Sequence, residues 1–270
     1  MSEPYPAGIP VGHEPDNEVV ELGGAEGRRA VVTGAASGIG QAVVLRLLAE
    51  GASVVAVDIN EAGLAPVVAA GAEACVASVA DAAGRATIDA AAGPELDYLV
   101  NAAGILFVKS VWDITPEEWQ RLYAVNVEGT FFTIQALGQR IRSGGAIVNL
   151  SSSSAKLSTT VEVTPYSSSK SAVLGITRSF AYVLAPRNVR VNAICPGIID
   201  TPMQDTVLAK IAPMRGMTVE ELSVSRLKAV PLGRSASAEE CADVIWFLLS
   251  DTARYMTGQA INHTGGLVMW

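Results

Sequence analysis

The chain predicts an α/β fold in which one parallel sheet is wrapped by helices on both faces. Three observations carry that prediction. Short aliphatic runs alternate with helical patterns along almost the whole length, the order that successive βαβ units produce. Hydrophobic residues make up 50% and charged residues 17% of the 270 positions, a balance that lets strands be covered from both sides. Aromatics are only 6%, so the core must come from Ala, Val and Ile. No internal repeat or linker interrupts the pattern, and residues 28–270 read as one domain. Residues 1–27 are rich in Pro, Gly and Glu without periodicity; they read as an arm, flexible or docked on a neighbour.

Seven strands follow in order: "RAVVT" 29–33, "SVVAVDI" 53–59, "EACVASV" 73–79, "DYLVNAA" 97–103, "AIVNLSS" 146–152, "VRVNAIC" 189–195 and "QAINHT" 259–264. Between the first two, "VVTGAASGIG" 31–40 sets Gly34, Gly38 and Gly40 at a strand-to-helix turn. Glycines there let the backbone approach a pyrophosphate, which would sit on unpaired N–H groups at the helix start. Asp58 ends the second strand, 18 residues beyond Gly40, where a carboxylate can accept from two ribose hydroxyls. The same carboxylate would repel a 2′-phosphate, and no Lys or Arg lies within 33–40 to offset it. NAD is therefore expected over NADP. Further on, "TPEEW" 115–119 has Thr115 as cap, Pro116 in the first turn and Glu118 closing a capping box, which starts a helix expected to run to about Arg142. Asn126 falls inside that helix, where Asn is a poor choice unless its amide has a task. "TVEE" 218–221 is a second capping box, so the stretch 200–230 is expected to hold two short helices as a lid.

Composition excludes several classes. A net charge of −8 disfavours a nucleic-acid binder. With only His13 and His263, neither a His-rich metal site nor Ser-His-Asp chemistry is expected. Cys75, Cys195 and Cys241 form no paired spacing, which points to a reducing compartment and buried thiols. The first residues have no basic start and no apolar run, and no aliphatic stretch reaches spanning length uninterrupted; a cytoplasmic protein off the membrane is expected.

"TGAASGIG" 33–40, "NAAG" 101–104, Asn126, "NLSS" 149–152, "YSSSK" 166–170 and "PGIIDT" 196–201 occur in one order. Together they resemble the short, single-domain branch of the short-chain dehydrogenase/reductase family over residues 28–270. The resemblance implies a Rossmann-type doubly wound sheet of about seven parallel strands, a nicotinamide cofactor and a homotetramer. It implies Tyr166 as acid/base, Lys170 as its partner and ribose ligand, Ser152 as the hydroxyl that orients the carbonyl, and Asn126 as holder of a relay water. Cofactor contacts would come from Gly34, Ser37, Gly38, Ile39, Gly40, Asp58, Asn101, Ala102, Ala103, Gly104, Tyr166, Lys170, Pro196, Gly197, Ile199 and Thr201. The chain departs from the family at three places. Four hydroxyls stand at 151–154, so counting forward from Asn149 selects Ser152 and counting back from Tyr166 selects Ser153; Ser152 is the assignment taken. Ser78 stands where an Asp often contacts adenine. "HTGG" 263–266 replaces the common "VDGG", with His263 read as structural or interfacial.

Residues four apart share a helix face, so Lys170 can lean toward the site of Tyr166. An ammonium about 4 Å from a phenolate, at an effective dielectric of ~20, contributes ~4 kcal/mol, or roughly three pKa units. That expectation brings the phenol near 7, where acid/base work is efficient. Met203, Leu208, Met214 and Met217 on the lid, with Leu106, Val108, Leu157 and Val163, offer an apolar wall suited to a medium-sized alcohol or ketone, although methionine as ordinary core packing is the stronger reading of that group. A polyol or sugar stays open, with hydroxyl recognition by Ser153, Ser154 or backbone. Two rival classes are weighed. A non-catalytic NAD sensor has no need of Asn126, Ser152, Tyr166 and Lys170 together. A sugar-nucleotide epimerase shares a Tyr and Lys four apart but needs a larger C-terminal domain.

Overall fold

The computed structural model describes residues 23–270. Most of the expected arm lies outside the described residues; of its end, Ala25 is fully buried and its N–H donates to the Glu50 carbonyl. The order is β1 (Arg29–Thr33), α1 (Gly38–Ala49), β2 (Ser53–Asp58), α2 (Glu61–Ala69), β3 (Glu73–Val76), α3 (Ala82–Ala92), β4 (Leu96–Asn101), α4 (Pro116–Tyr123), α5 (Gly129–Leu137), β5 (Ile141–Leu150), α6 (Thr164–Leu184), β6 (Arg190–Pro196), α7 (Pro202–Met214), α8 (Val219–Leu227), α9 (Ala238–Leu249) and β7 (Ala260–His263). All seven expected strands are present, in one sheet of order β3-β2-β1-β4-β5-β6-β7 with every pairing parallel. This is the Rossmann-type doubly wound sheet.

Alternate strand residues feed two cores, as the period of two requires. Ala30, Val32, Val54 and Ala56 face α1, α2 and α9, where Trp246 meets Tyr98 edge-on with ring centroids 6.1 Å apart. Val31, Val55, Leu99, Ile147 and Val191 face α3, α5 and α6. The three cysteines are free and buried. Among the described residues no helix is long and apolar enough to cross a membrane, and no group of three His, Cys, Asp or Glu is placed to hold a metal ion.

The helix expected from Thr115 to Arg142 differs in detail. Thr115 and Glu118 form the capping box, but the helix widens to a π-turn at Ala124–Glu128 and tightens at Gly138–Arg140. β5 already begins at Ile141, five residues before the expected strand. Ile141, wholly buried, is drawn into the sheet opposite Leu96; burial there overrides the helical pattern.

Candidate active site

Chain order reverses between β1 and β4, which lie side by side while their crossovers run to opposite halves of the sheet. Loops leaving the carboxyl ends of strands diverge at such a point and open a crevice. Here they enclose a cavity of about 630 Å³ walled by residues that follow β1, β2, β3, β4, β5 and β6.

One end is made mostly of backbone. Gly34 sits at φ +71°, and a Cβ there would lie 2.7 Å from the Ala103 nitrogen. Gly40 has no room either: a Cβ would collide with the Gly34 carbonyl. α4, α8 and α9 all carry capping boxes with acidic residues in the first turn. By contrast, the Ser37 side chain makes no capping bond to α1, whose first turn has no acidic residue. That helix start keeps free N–H groups and an uncompensated positive dipole, a fit for a diphosphate. Asp58 projects beside it, accepting from the N–H groups of Ala36 at 3.1 Å and Asn60 at 2.9 Å. Two carboxylate oxygens keep lone pairs beyond these bonds, so ribose hydroxyls can still be received. The residues present therefore fit a dinucleotide.

The middle of the cavity gathers the hydroxyls and the lysine. α6 begins just before Tyr166, with Pro165 in its first turn, and one helical turn separates Tyr166 from Lys170. Ser152 caps a short turn after β5, its Oγ accepting from Ser154 N–H at 3.1 Å, and its hydroxyl opposes the effect of burial on the Tyr166 phenol. Ser153 shares the wall but has no such influence on the phenol. The expected depression of the phenol is absent. Burial pushes Tyr166 up to about 12, with the Ser152 hydroxyl opposing. Burial likewise pushes Lys170 down to about 8. Lys170 Nζ lies 5.6 Å from the Tyr166 ring centroid and donates to the Leu150 carbonyl at 2.7 Å. Lys170 is absent from the influences that set the phenol, and the loss of water dominates both groups.

Asn126 sits in the π-turn, an irregularity often found at functional positions. It is fully buried behind the wall: Oδ1 accepts from Ile105 N–H at 2.9 Å, and Nδ2 donates to the Ile105 carbonyl and Ser169 Oγ, each at 3.0 Å. Both of its amide hydrogens are engaged, so a water held by Asn126 must donate to one of its oxygens. Asn101 also lies behind the wall, donating to Asn149 Oδ1 at 2.8 Å while Asn149 donates to Thr177 at 3.0 Å. The other expected contact residues, Ser37, Gly38, Ile39, Ala102, Ala103, Gly104, Pro196, Gly197, Ile199 and Thr201, all line the cavity with Ser78. Thr201 also caps α7. His263 lies elsewhere, in a smaller cavity of about 210 Å³.

The lid has the two helices expected of it, α7 and α8, with the second capping box in place. Of the four lid residues, Met203 alone lines the cavity. Leu208 and Met217 pack into a small cluster with Leu106, Val108 and Ile211, and Met214 is half-exposed. Sequence reading missed three charged groups here. Arg215 donates to both oxygens of Glu162, each at 2.8 Å, and holds that carboxyl below the usual range. Arg226 lines the cavity with its Nη1 buried and unpaired. Burial, and then the Arg215 charge, lower its affinity for the proton, with Glu162 opposing. An unmade bond to a buried guanidinium costs about 1–3 kcal/mol or more. No spacing rule joins residues 162, 215 and 226; only the folded lid brings them together.

Comparison with known proteins places this geometry. Residues 34–268 match the family described as enoyl-(acyl carrier protein) reductase. The chain is 37% identical over 258 residues to the 3-oxoacyl-(acyl-carrier-protein) reductase of Thermotoga maritima, covering 90% of this chain and 99% of that one. It is 34% identical over 251 residues to a sorbitol dehydrogenase of Cereibacter sphaeroides, covering 89% and 97%. Among solved structures, a 3-ketoacyl-(acyl-carrier-protein) reductase from Brucella melitensis complexed with NADH matches with a TM-score of 0.80 at 29% identity, covering 92% and 100%.

Proposed function

The chain belongs to the short-chain dehydrogenase/reductase family of oxidoreductases, and from that premise we propose that it interconverts a secondary alcohol and a ketone with NAD. The observation that carries this reading is the convergence of Ser152, Tyr166 and Lys170 on one cavity whose other end is a glycine turn with Asp58. When bound, NAD supplies the hydride acceptor or donor. Everything else falls to this chain's own side chains. Tyr166 moves the proton at the substrate oxygen, and Ser152, whose hydroxyl acts on the phenol in the same cavity, orients that oxygen. Lys170 places a cation beneath both, and Asn126 fixes the Ile105 backbone that walls the site. A phenol raised by burial keeps its proton at neutral pH, so the free protein is set to donate a proton, as ketone reduction requires. Asp58, with no cation in the glycine turn, supports NAD over NADP. The substrate is a medium-sized, partly apolar compound, which the apolar wall of Leu106, Leu157, Val163 and Val207 accommodates. A polyol is the second reading, supported by Ser154, Thr159 and Thr160 on the same wall. The working form is a homotetramer, and three buried free thiols accord with the cytoplasm.

The test is NADH turnover on a panel of secondary alcohols, ketones, polyols and hydroxysteroids, with Tyr166→Phe alongside. The variant should lose about 10²–10⁴-fold in kcat/KM while binding NAD within a few-fold of wild type. Undiminished turnover in Tyr166→Phe removes Tyr166 from the chemistry. Tight NAD binding with no turnover of any panel member by wild type replaces the enzyme with a sensor.

A further inference from the structure

We propose that the lid end of the cavity reads an oxyanion, with Arg226 as the specificity residue, so that the alcohol or ketone handled at Tyr166 carries an acid group. The inference rests on the dehydrogenase reading above and adds the substrate class to it.

Charge counting is the first ground. Two guanidiniums, Arg215 and Arg226, line the cavity from the lid. Glu162 takes both of its hydrogen bonds from Arg215 and reaches Arg226 only through its charge, so the two cations and one carboxylate keep a net positive charge. Asp58, the carboxylate that lines the cavity, stands at the dinucleotide end. The second ground is the orphaned donor. Buried polar groups in folded proteins nearly always have partners, and an exception calls for an explanation. Four side-chain atoms among the described residues are buried without one: Thr133 Oγ1, Arg226 Nη1, Trp246 Nε1 and His263 Nε2. Arg226 alone of these four lines the large cavity. A charged donor kept dry beside a cavity is matched by a ligand that brings an acceptor.

The identity of the side chain narrows that ligand. A guanidinium offers a planar fork that fits a carboxylate or phosphate through two parallel bonds, which a neutral hydroxyl cannot reproduce. Leu157, Val163, Val207 and Ile211 share the wall with it, so an aliphatic portion joining the reacting carbon to the acid group has an apolar surface to rest on. Arg226 rides on α8, and Arg215 follows directly after α7. An anion bound there would therefore engage the lid as well as orient the substrate.

The experiment compares straight-chain hydroxy acids, from hydroxybutyrate to hydroxydecanoate, each beside its own methyl ester and the corresponding hydroxyalkyl phosphate. Wild type should favour at least one charged series over the ester by about tenfold or more in kcat/KM, mostly through KM, as one charge-assisted bond of roughly 1.5–3 kcal/mol requires. Whether carboxylate or phosphate leads identifies the oxyanion. Arg226→Gln should collapse the acid-over-ester ratio toward unity, and Arg226→Lys should restore part of it. Ester turnover in the same variant shows that the fold and the reaction centre survive. Preference for the esters by an active wild type overturns the inference and leaves the dehydrogenase intact. So does a ratio that Arg226→Gln does not change. Loss of turnover on all three series, with active turnover on the neutral panel above, overturns it equally; inactivity on every alcohol and ketone sinks the dehydrogenase reading itself.

Discussion

The two ends of the cavity are built by different means. At the glycine end, contacts come from backbone that follows β1 and β4, and the tolerance is steric: Gly34 and Gly40 press against neighbouring main chain. At the lid end, contacts come from charged side chains on loops and helices far apart in sequence, with Glu162 and Arg215 paired and Arg226 unpaired. The first end is rigid because the sheet holds it. The second is set by electrostatics and can be retuned one side chain at a time. A backbone-built subsite suits a ligand that stays the same, whereas a side-chain-built one suits a ligand that differs between relatives. The ketoacyl reductase and sorbitol dehydrogenase that this chain resembles are named for different substrates, as that division leads one to expect.

Gly40→Ala should break the comparison most severely if the glycine end is not steric. The added methyl meets the Gly34 carbonyl, and main chain cannot yield as a side chain can. Overpacking of this kind costs about 1–3 kcal/mol, which lowers Tm by roughly 2–4 °C for each kcal/mol in a domain of this size. NAD affinity should fall by more than tenfold by calorimetry. An unchanged affinity would show that the turn can open.

Asp58→Asn probes the one charged group at that end with a smaller expected effect. Ala36 and Asn60 N–H donate to different carboxylate oxygens, so asparagine keeps an acceptor for one of them and loses the other along with the charge. The NAD-over-NADP ratio of kcat/KM should drop about tenfold, the equivalent of about 1.4 kcal/mol. A wild type that prefers NADPH would reverse the argument from repulsion.

The same division decides what could be read in the sequence. Seven strands, the glycine turn, Asp58 and both capping boxes are short contiguous patterns, each set by local backbone chemistry, and all are present, with β5 starting five residues early and β3 ending at Val76. Ser152 could be chosen over Ser153 only by counting; in the fold it is the Ser152 hydroxyl that acts on the Tyr166 phenol against burial. Asn126 was legible as an anomaly in a helix, but the π-turn that buries it was not, because its bonds go to Ile105 and Ser169 across the fold. The lid arginines left no signal, since a buried guanidinium and a solvated one look alike in "SVSRL". The proximity of Tyr166 and Lys170 was legible too. Its electrostatic consequence was not, because spacing reports which groups meet and says nothing of how much water they lose.

That last point yields the subtlest prediction, at the junction of the two ends. Lys170 is buried, and its folded pKa is lowered to about 8. A lysine is charged below its pKa, so any contribution of the ammonium is present below about pH 8 and is lost as pH rises through it. Tyr166, raised to about 12, stays protonated across this window and adds no limb of its own. In ketone reduction, kcat/KM for NADH, which reports groups of the free protein, should therefore decline a few-fold on the alkaline side of pH 8. Lys170→Arg replaces the titrating group with a guanidinium, which keeps its charge throughout this range. Whatever rate that variant retains, its profile should run flat through the same range. A decline that persists at the same pH in Lys170→Arg assigns the limb to another group, and the cation beneath the phenol would then matter for geometry rather than for charge.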